Sequence, residues 1–238
     1  MFTRLILFTL SCAYAFLTPS VKLDSGKTAS VIGQGPPLLL STGLFGTIPR
    51  FFYSELVNDL KNNLTIVTIN GIDPIRKHDI EQVAQSLQVD KLAYLSHSSY
   101  FPEVLTSQYI KSAVLLDPIN LPQLSFEGMN QPTSDVSFPT LIIRASKLYE
   151  GQKSLPDWQD PIFNGNVEEE MYEGVGHPDI LNDFWANVAN DMGIWDTARG
   201  ETTTFENWRF KERSGIPEMR KTYRKYVGQK IKDFVNQE

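Results

Sequence analysis

A short apolar run that ends in a cluster of serines constrains this chain more than any other feature. Lys91–Leu95 is mostly apolar and too short for a helix, which is typical of a strand buried in a parallel sheet. Ser96-His97-Ser98-Ser99-Tyr100 follows at once. A strand that turns sharply into a helix at a serine has the geometry of a nucleophile elbow, usually written G-x-S-x-G. Ser96 supplies one of the two small residues around Ser98, but Tyr100 does not supply the other. An ordinary strand-to-helix turn with solvated serines is the alternative.

Five further segments have the pattern of short strands, and helical or loop segments lie between them. The six predicted strands are Pro37–Leu40, Leu64–Ile69, Lys91–Leu95, Ala113–Leu116, Thr140–Arg144 and Val167–Tyr172. Amphipathic spacing predicts helices over Phe51–Leu60, Asp79–Leu87 and Ile216–Phe234. Strands that alternate with helices predict an α/β fold, with a mostly parallel sheet of about six strands and helices on both faces. No repeat or linker divides the chain, so residues 31–238 are expected to form a single domain.

The N-terminal residues have the pattern of a targeting sequence. Met1–Ala15 combines Arg4, the apolar run Leu5–Leu10 and a small-x-small end, which predicts a secretory signal peptide. The run is too short to span a bilayer. Residues 16–30 are rich in hydroxyl groups, and the Ala15-Phe16 junction resembles presequences of algae with secondary plastids. We therefore expect a transit-like segment and delivery to such a plastid through the secretory pathway. Plain secretion is the alternative.

Charge and cysteine content argue against several classes of function. The chain has 238 residues, a net charge of −6 and a pI near 5.2, which is unfavourable for a general nucleic-acid binder. The one cysteine, Cys12, lies in the predicted signal peptide, so the mature chain is expected to have neither a disulfide nor a thiol nucleophile. Three histidines are few for a metal cluster, and we expect neither a metal nor a cofactor.

Chemically active residues follow three of the predicted strands. They are Ser98, Asp117 and His177, in that chain order. Because parallel sheets bind ligands beyond the carboxyl ends of their strands, we expect these side chains to meet. Serine, acid and histidine in this order are typical of the α/β-hydrolase triad. Ser98 is then the nucleophile, His177 the general base and Asp117 the group that orients the imidazole. Glu150, after the fifth predicted strand, is the alternative acid, but the local match favours Asp117.

The segments around these residues resemble the chlorophyllase family of α/β-hydrolases and, more distantly, the plasma-type platelet-activating-factor acetylhydrolases. Leu116-Asp117-Pro118-Ile119 is similar to the segment with the family's catalytic acid, and Gly176–Asp183 to the G-H-x-D-x-L-D-D box with its catalytic histidine. Phe52–Leu56 resembles the family's FYS-x-L helix start, and Pro217–Phe234 its C-terminal helix. The resemblance covers roughly Pro36 to the end. It implies hydrolysis of a long-chain ester such as the phytyl ester of chlorophyll, without a cofactor.

The elbow departs from the pattern of that family. Where the family has G-H-S-R-G-G, this chain has Ser96–Phe101. The glycine loop has Thr42-Gly43 in place of His-Gly. Pro102 must precede or kink the next helix. The oxyanion donors are expected to be the backbone N–H groups of Ser99 and Leu44.

Tyr100 favours an alternative function, a catalytically silent α/β-hydrolase fold that binds a pigment or a lipid. In a working hydrolase its ring is expected to turn outward. In a silent binder the ring would fill the space above Ser98.

The remaining expectations concern substrate and partners. Three tryptophans follow the histidine box: Trp185, Trp195 and Trp208. They are expected to form a substrate lid, and the alternative is that they only anchor this segment to the surface. The substrate is expected to be an apolar ester or a tetrapyrrole. His97 is interpreted as structural, with its side chain directed away from the site. The basic residues of the last helix are Arg220, Lys221, Arg224, Lys225 and Lys232. We interpret them as a solvated face, and contact with a membrane surface is the alternative. The sequence does not indicate an oligomeric state.

Overall fold

The computed structural model describes residues 20–43, 46, 48–70, 75–98, 100, 102–118, 136, 138–146, 166–191 and 217–237. Its strands are β1 (Ser20–Lys22), β2 (Thr28–Gly33), β3 (Pro37–Ser41), β4 (Thr65–Asn70), β5 (Leu92–His97), β6 (Ile110–Leu116), β7 (Thr140–Ala145) and β8 (Val167–Tyr172). They form one sheet in the order β1-β2-β4-β3-β5-β6-β7-β8. The strands from β3 to β8 pair in parallel, whereas β1 and β2 are antiparallel. All six predicted strands are confirmed, with ends shifted by at most three residues.

Helices and short turns connect the strands. The helices are α1 (Ser54–Leu60), α2 (Lys77–Leu87), α3 (Pro102–Leu105), α4 (Asp183–Asp191) and α5 (Pro217–Asn236), and 3₁₀ turns span Arg50–Tyr53 and His177–Ile180. Pro102 neither precedes nor kinks the helix after β5, because α3 begins at Pro102 itself, where a missing N–H costs little. Among the described residues, no helix is both long and apolar enough to cross a membrane.

Alternating side chains of the sheet fill two cores. Leu38 and Leu40 of β3 pack with α1 and α5, whereas Leu39 faces the opposite side with α2. Because both faces are covered, the central strands are apolar on both sides and appear in the sequence as continuous runs. On α5, Tyr223 and Val227 lie at the centre of the first core. The expectation of helices on both faces is confirmed.

The sheet extends further toward the N-terminus than the expected domain boundary at residue 31. β2 pairs with β4 over six residues, and β1 pairs with β2. Ala29 is fully buried in the second core. In the turn between β1 and β2, the ammonium of Lys27 lies 2.6 Å from the Asp79 carboxylate of α2, and both side chains are buried. Residues 20–30, placed in the transit-like segment from their composition, therefore form part of the folded sheet.

Replacing Asp79 by Ala should destabilise the protein strongly, because it leaves the Lys27 ammonium buried without its counter-ion. Breaking a buried pair in this way costs about 3–5 kcal/mol. Removing both charges, as in Lys27→Met with Asp79→Leu, should cost much less. Urea unfolding of the three proteins measures the difference. Arg76→Ala, which removes an exposed pair with Glu103, is the control and should cost less than about 1 kcal/mol. Equal losses for Asp79→Ala and the control would contradict the argument.

Candidate active site

Two strand ends in the middle of the sheet adopt unusual backbone conformations. Ser98, directly after β5, has φ 68°, and Asp117, directly after β6, has φ 46°. Residues with a side chain rarely adopt positive φ, and a sharp strand-to-helix turn at a nucleophile is one place where they do. The N–H of Ser98 donates to the carbonyl of Leu116 at 2.9 Å. Ser98 and Asp117 therefore lie side by side at the carboxyl edge of the sheet, and both are buried.

Asp117 faces His177, which lies in the 3₁₀ turn after β8. The carboxylate Oδ2 is 3.4 Å from Nδ1 of the imidazole, and both side chains are 3% exposed. The other carboxylate oxygen accepts the N–H of Ala145 at 2.5 Å. One oxygen is thus fixed by the backbone at the end of β7, which leaves the second directed at the imidazole. The distance is longer than that of a good hydrogen bond.

Burial controls the charge of Asp117. It raises the pKa of this carboxyl from 3.8 to about 6, against the opposing effect of the hydrogen bond from Ala145. The carboxyl therefore becomes ionised only above about pH 6. In that form it can hold the neighbouring imidazole in one tautomer and stabilise its cation.

The side chain of His97 was expected to be directed away from the site, and that expectation is wrong. Its ring stacks on that of His177 with centroids 4.4 Å apart, so its side chain is directed toward the histidine of the site. Its Nε2 lies 3.1 Å from the backbone carbonyl of His177, and its Nδ1 lies 2.7 Å from the hydroxyl of Tyr53. A carbonyl only accepts, so Nε2 carries the proton and Nδ1 accepts from Tyr53. Burial and the neighbouring His177 lower the pKa of His97 to about 3, which keeps the ring neutral.

Tyr53 connects this pair to the glycine loop after β3. Its hydroxyl accepts the N–H of Gly43 at 2.8 Å while it donates to His97. A Cβ atom on Gly43 would lie 3.0 Å from the Ile48 side chain, 3.1 Å from the Tyr53 hydroxyl and 3.3 Å from Nδ1 of His97. A side chain at this position would therefore be tight, and its neighbours would have to shift by a few tenths of an ångström. The FYS segment was singled out in the sequence, but nothing in it indicated that Tyr53 reaches His97.

The loop that carries His177 is anchored by charged groups from α5. The carboxylate of Asp179 is fully buried, accepts the N–H of Gly176 at 2.8 Å and pairs with Arg220 at 3.1 Å. The Arg224 guanidinium donates to the carbonyls of Asp179 at 3.1 Å and Leu181 at 2.9 Å. Arg220 and Arg224 were expected on a solvated basic face, and that expectation is wrong for these two. A charge on an amphipathic helix usually faces water, but here it binds a buried turn.

The same cluster contains three groups with metal-binding atoms. Those of His97, Asp117 and His177 lie within 4.8 Å of one another. Both nitrogens of His97 already take part in hydrogen bonds, one to Tyr53 and one to a backbone carbonyl. A metal would have to break one of these bonds. The cluster therefore fits an acid and a base in contact, with a neutral histidine behind them, better than a metal centre.

The remaining site residues differ in what the structure says of them. Trp185 lies on α4, half-buried, and stacks on Phe52 with centroids 3.7 Å apart, which makes it an anchor of α4. The ring of Tyr100 is half-buried and packs against the core that contains Leu39 and α2. The expectation that the ring simply turns outward is therefore wrong. The residues that lie outside the described part of the chain are Leu44, Ser99, Glu150, Trp195 and Trp208.

Solved structures similar to this one are α/β hydrolases. The epoxide hydrolase CorEH has a TM-score of 0.51 and 12% identity, covering 76% of this chain and 99% of its own. An epoxide hydrolase from Bacillus megaterium has a TM-score of 0.50 and 11% identity, and the match covers 75% of this chain and 100% of that one. An α/β hydrolase from a Nostoc species has a TM-score of 0.50 and 12% identity, and the match covers 74% of this chain and 97% of that one. No protein-family model matches the sequence, and no curated protein matches it significantly. The chain therefore has an α/β-hydrolase fold, as predicted.

Replacing Tyr53 by Phe should destabilise the protein, because it removes the partner of both the Gly43 N–H and Nδ1 of His97. Leaving buried polar groups unsatisfied costs about 1–3 kcal/mol each. Urea unfolding of the variant measures the loss. Tyr109→Phe is the matched control, since the hydroxyl of Tyr109 donates to Glu81 in a part-exposed contact. A loss no larger than that of the control would show that the network does not stabilise the fold.

Asp117→Asn should stabilise the protein above pH 6 and leave it unchanged near pH 4. The folded-state pKa of Asp117 lies above the ordinary value, so the folded protein binds this proton more tightly than the unfolded chain. Ionisation of this carboxyl in the folded protein therefore lowers the free energy of unfolding, and the loss grows as the pH rises from about 4 to 6. At pH 8 the variant should gain about 1–3 kcal/mol in unfolding free energy. Urea unfolding at several pH values tests this, and a gain independent of pH would contradict it.

Proposed function

We propose that this protein is a serine-dependent carboxylic ester hydrolase. The buried contact of Asp117 with His177, next to the strained backbone of Ser98, is the observation that supports this most. Ser98 attacks the ester carbonyl, and His177 takes its proton and returns it to the leaving alcohol. Asp117 holds the imidazole and stabilises its positive charge. The α/β-hydrolase fold supports the proposal, because in such sheets ligands bind beyond the carboxyl ends of the strands, and each of the three residues follows a strand.

Ester hydrolysis fits these residues better than a silent binding role. A protein that only bound a lipid would not need the acid, the histidine and the positive φ of Ser98 together, since each costs stability. The packing of Tyr100 against the second core supports the same choice, because its ring is accommodated below the site by the fold. The silent binder becomes the conclusion only if Ser98 has no catalytic effect.

The finer proposal about substrate comes from the sequence. The resemblance to the chlorophyllase family makes a long-chain ester of a tetrapyrrole propionate, such as chlorophyll a, the first natural substrate to test. The exposed lysines of α5, Lys221 and Lys225, would support contact with a membrane that carries such a substrate.

Delivery to a plastid through the secretory pathway remains part of the proposal. Cleavage near Ala15 would keep the sheet complete. Cleavage near residue 30 would remove β1 and the first half of β2, and with them Lys27, the ion-pair partner of Asp79. We therefore propose that processing ends before Ser20.

Ser98→Ala should abolish hydrolysis of 4-nitrophenyl butyrate, because the substitution removes the nucleophile. The loss expected for a serine hydrolase is about 10³-fold or more, down to the rate without protein. Release of nitrophenolate, followed at 400 nm or so, measures it. Ser112→Ala, a buried serine within β6, is the matched control and should keep the wild-type rate. Equal turnover by the Ser98 variant and the wild type would contradict the proposed mechanism.

A further inference from the structure

A cavity opens at the carboxyl ends of β3 and β4, beside the candidate active site. Its volume is about 330 Å³, and Ser41, Thr42, Arg50, Thr68 and Asn70 supply its polar lining. Ser41 pairs in register with Ser96, two residues before Ser98. Thr42 begins the glycine loop that Tyr53 holds against His97 through Gly43. The cavity therefore lies against the glycine loop, next to the strand end that leads to Ser98.

One hydroxyl in the lining is buried without a hydrogen bond. The Ser41 side chain is 1% exposed, and its Oγ has no partner among the described residues. Such a group costs about 1–3 kcal/mol. A ligand with an oxygen at this point would satisfy it, so the hydroxyl indicates where a polar part of a ligand is bound.

The described part of the cavity lining includes one charged side chain. Among the described residues that line it, Arg50 is the one that carries a charge, and its guanidinium lies 3.4 Å from the hydroxyl of Thr68. The fork of N–H donors on a guanidinium matches the two oxygens of a carboxylate. The remaining walls are mostly apolar, with Ile69 and Ile75 among them. A short carbon chain that ends in a carboxylate has the matching chemistry.

The volume limits the size of the occupant. Binding sites for small molecules range from about 300 to 1,000 Å³, so this cavity lies at the lower end. It can hold a short acyl chain, whereas a tetrapyrrole ring system is too large for it.

We propose that this cavity binds the acyl part of a substrate that carries a second, ionised carboxyl group, which pairs with Arg50. The substrate class is then the monoesters of short dicarboxylic acids. The inference rests on the proposed ester hydrolysis, and it replaces the tetrapyrrole ester as the preferred substrate by a smaller, acidic ester. Ser41 donates its hydroxyl to an oxygen of the same acyl part.

Binding of free glutarate tests the cavity without any turnover. Isothermal titration calorimetry of the full chain should show glutarate binding that Arg50→Gln weakens at least 10-fold, the loss expected for one charged hydrogen bond. Ser41→Ala should weaken it by about 3- to 10-fold on the same grounds, and it provides a second measurement if Arg50→Gln does not fold. Arg76→Gln, at an exposed arginine paired with Glu103, is the control and should bind as the wild type does. Glutarate affinity unaffected by both cavity variants would overturn the inference.

Kinetics with a matched pair of esters separates this inference from the proposed function. The wild type should hydrolyse mono-4-nitrophenyl glutarate with a kcat/KM at least 10-fold above that for 4-nitrophenyl pentanoate, and Arg50→Gln should remove the preference. Ser98-dependent hydrolysis without this preference, or a higher kcat/KM for chlorophyll a, would overturn the inference and leave the proposed function standing. Glutarate binding that depends on Arg50, without Ser98-dependent hydrolysis of either ester, would confirm the cavity as an acid-binding site and refute the hydrolase.

Discussion

Three hydrogen bonds in series hold the carboxyl edge of the sheet together at the candidate active site. The N–H of Gly43 donates to the hydroxyl of Tyr53, that hydroxyl donates to Nδ1 of His97, and Nε2 of His97 donates to the carbonyl of His177. The chain joins the loops after β3, β5 and β8, which are distant in sequence. Because the side chains of Tyr53 and His97 each donate one bond and accept another, replacing either of them leaves buried neighbours unsatisfied. The position of His177 opposite Asp117 depends on this network and on the buried arginines of α5 beneath the histidine loop.

The parallel part of the fold was predictable because its strands are buried on both faces. Segments such as Pro37–Leu40 and Thr140–Arg144 are mostly apolar, and this pattern can be recognised without knowing which strands lie beside them. The antiparallel strands β1 and β2 were not predicted. They lie at the edge of the sheet, where serine, threonine and lysine are tolerated, and the same composition is typical of transit segments. Lys27 in their turn is buried only because Asp79, 52 residues away, meets it there.

The candidate site was predictable as a set of strand ends, and less so in its supporting contacts. A serine, an acid and a histidine that each follow a strand of one parallel sheet must lie at one edge, and Ser98, Asp117 and His177 do. The sequence could not show that His97 stacks on His177, because nothing in it indicates to which face of the sheet the side chain of His97 points. It also could not show that Arg224 is buried. Its partners are the carbonyls of Asp179 and Leu181 and the carboxylates of Asp183 and Glu55, which all lie more than 40 residues away in the chain.

The central claim, that His177 and Asp117 activate Ser98, is tested most directly by covalent labelling with a fluorophosphonate. This reagent reacts with an activated serine and releases fluoride, and the adduct is located by mass spectrometry of proteolytic peptides. The account predicts one adduct, on Ser98, formed at least 100-fold more slowly in His177→Ala, as expected when the general base is lost. Labelling of Ser98 that is just as fast without His177, or no labelling of Ser98 in the wild type, would contradict it.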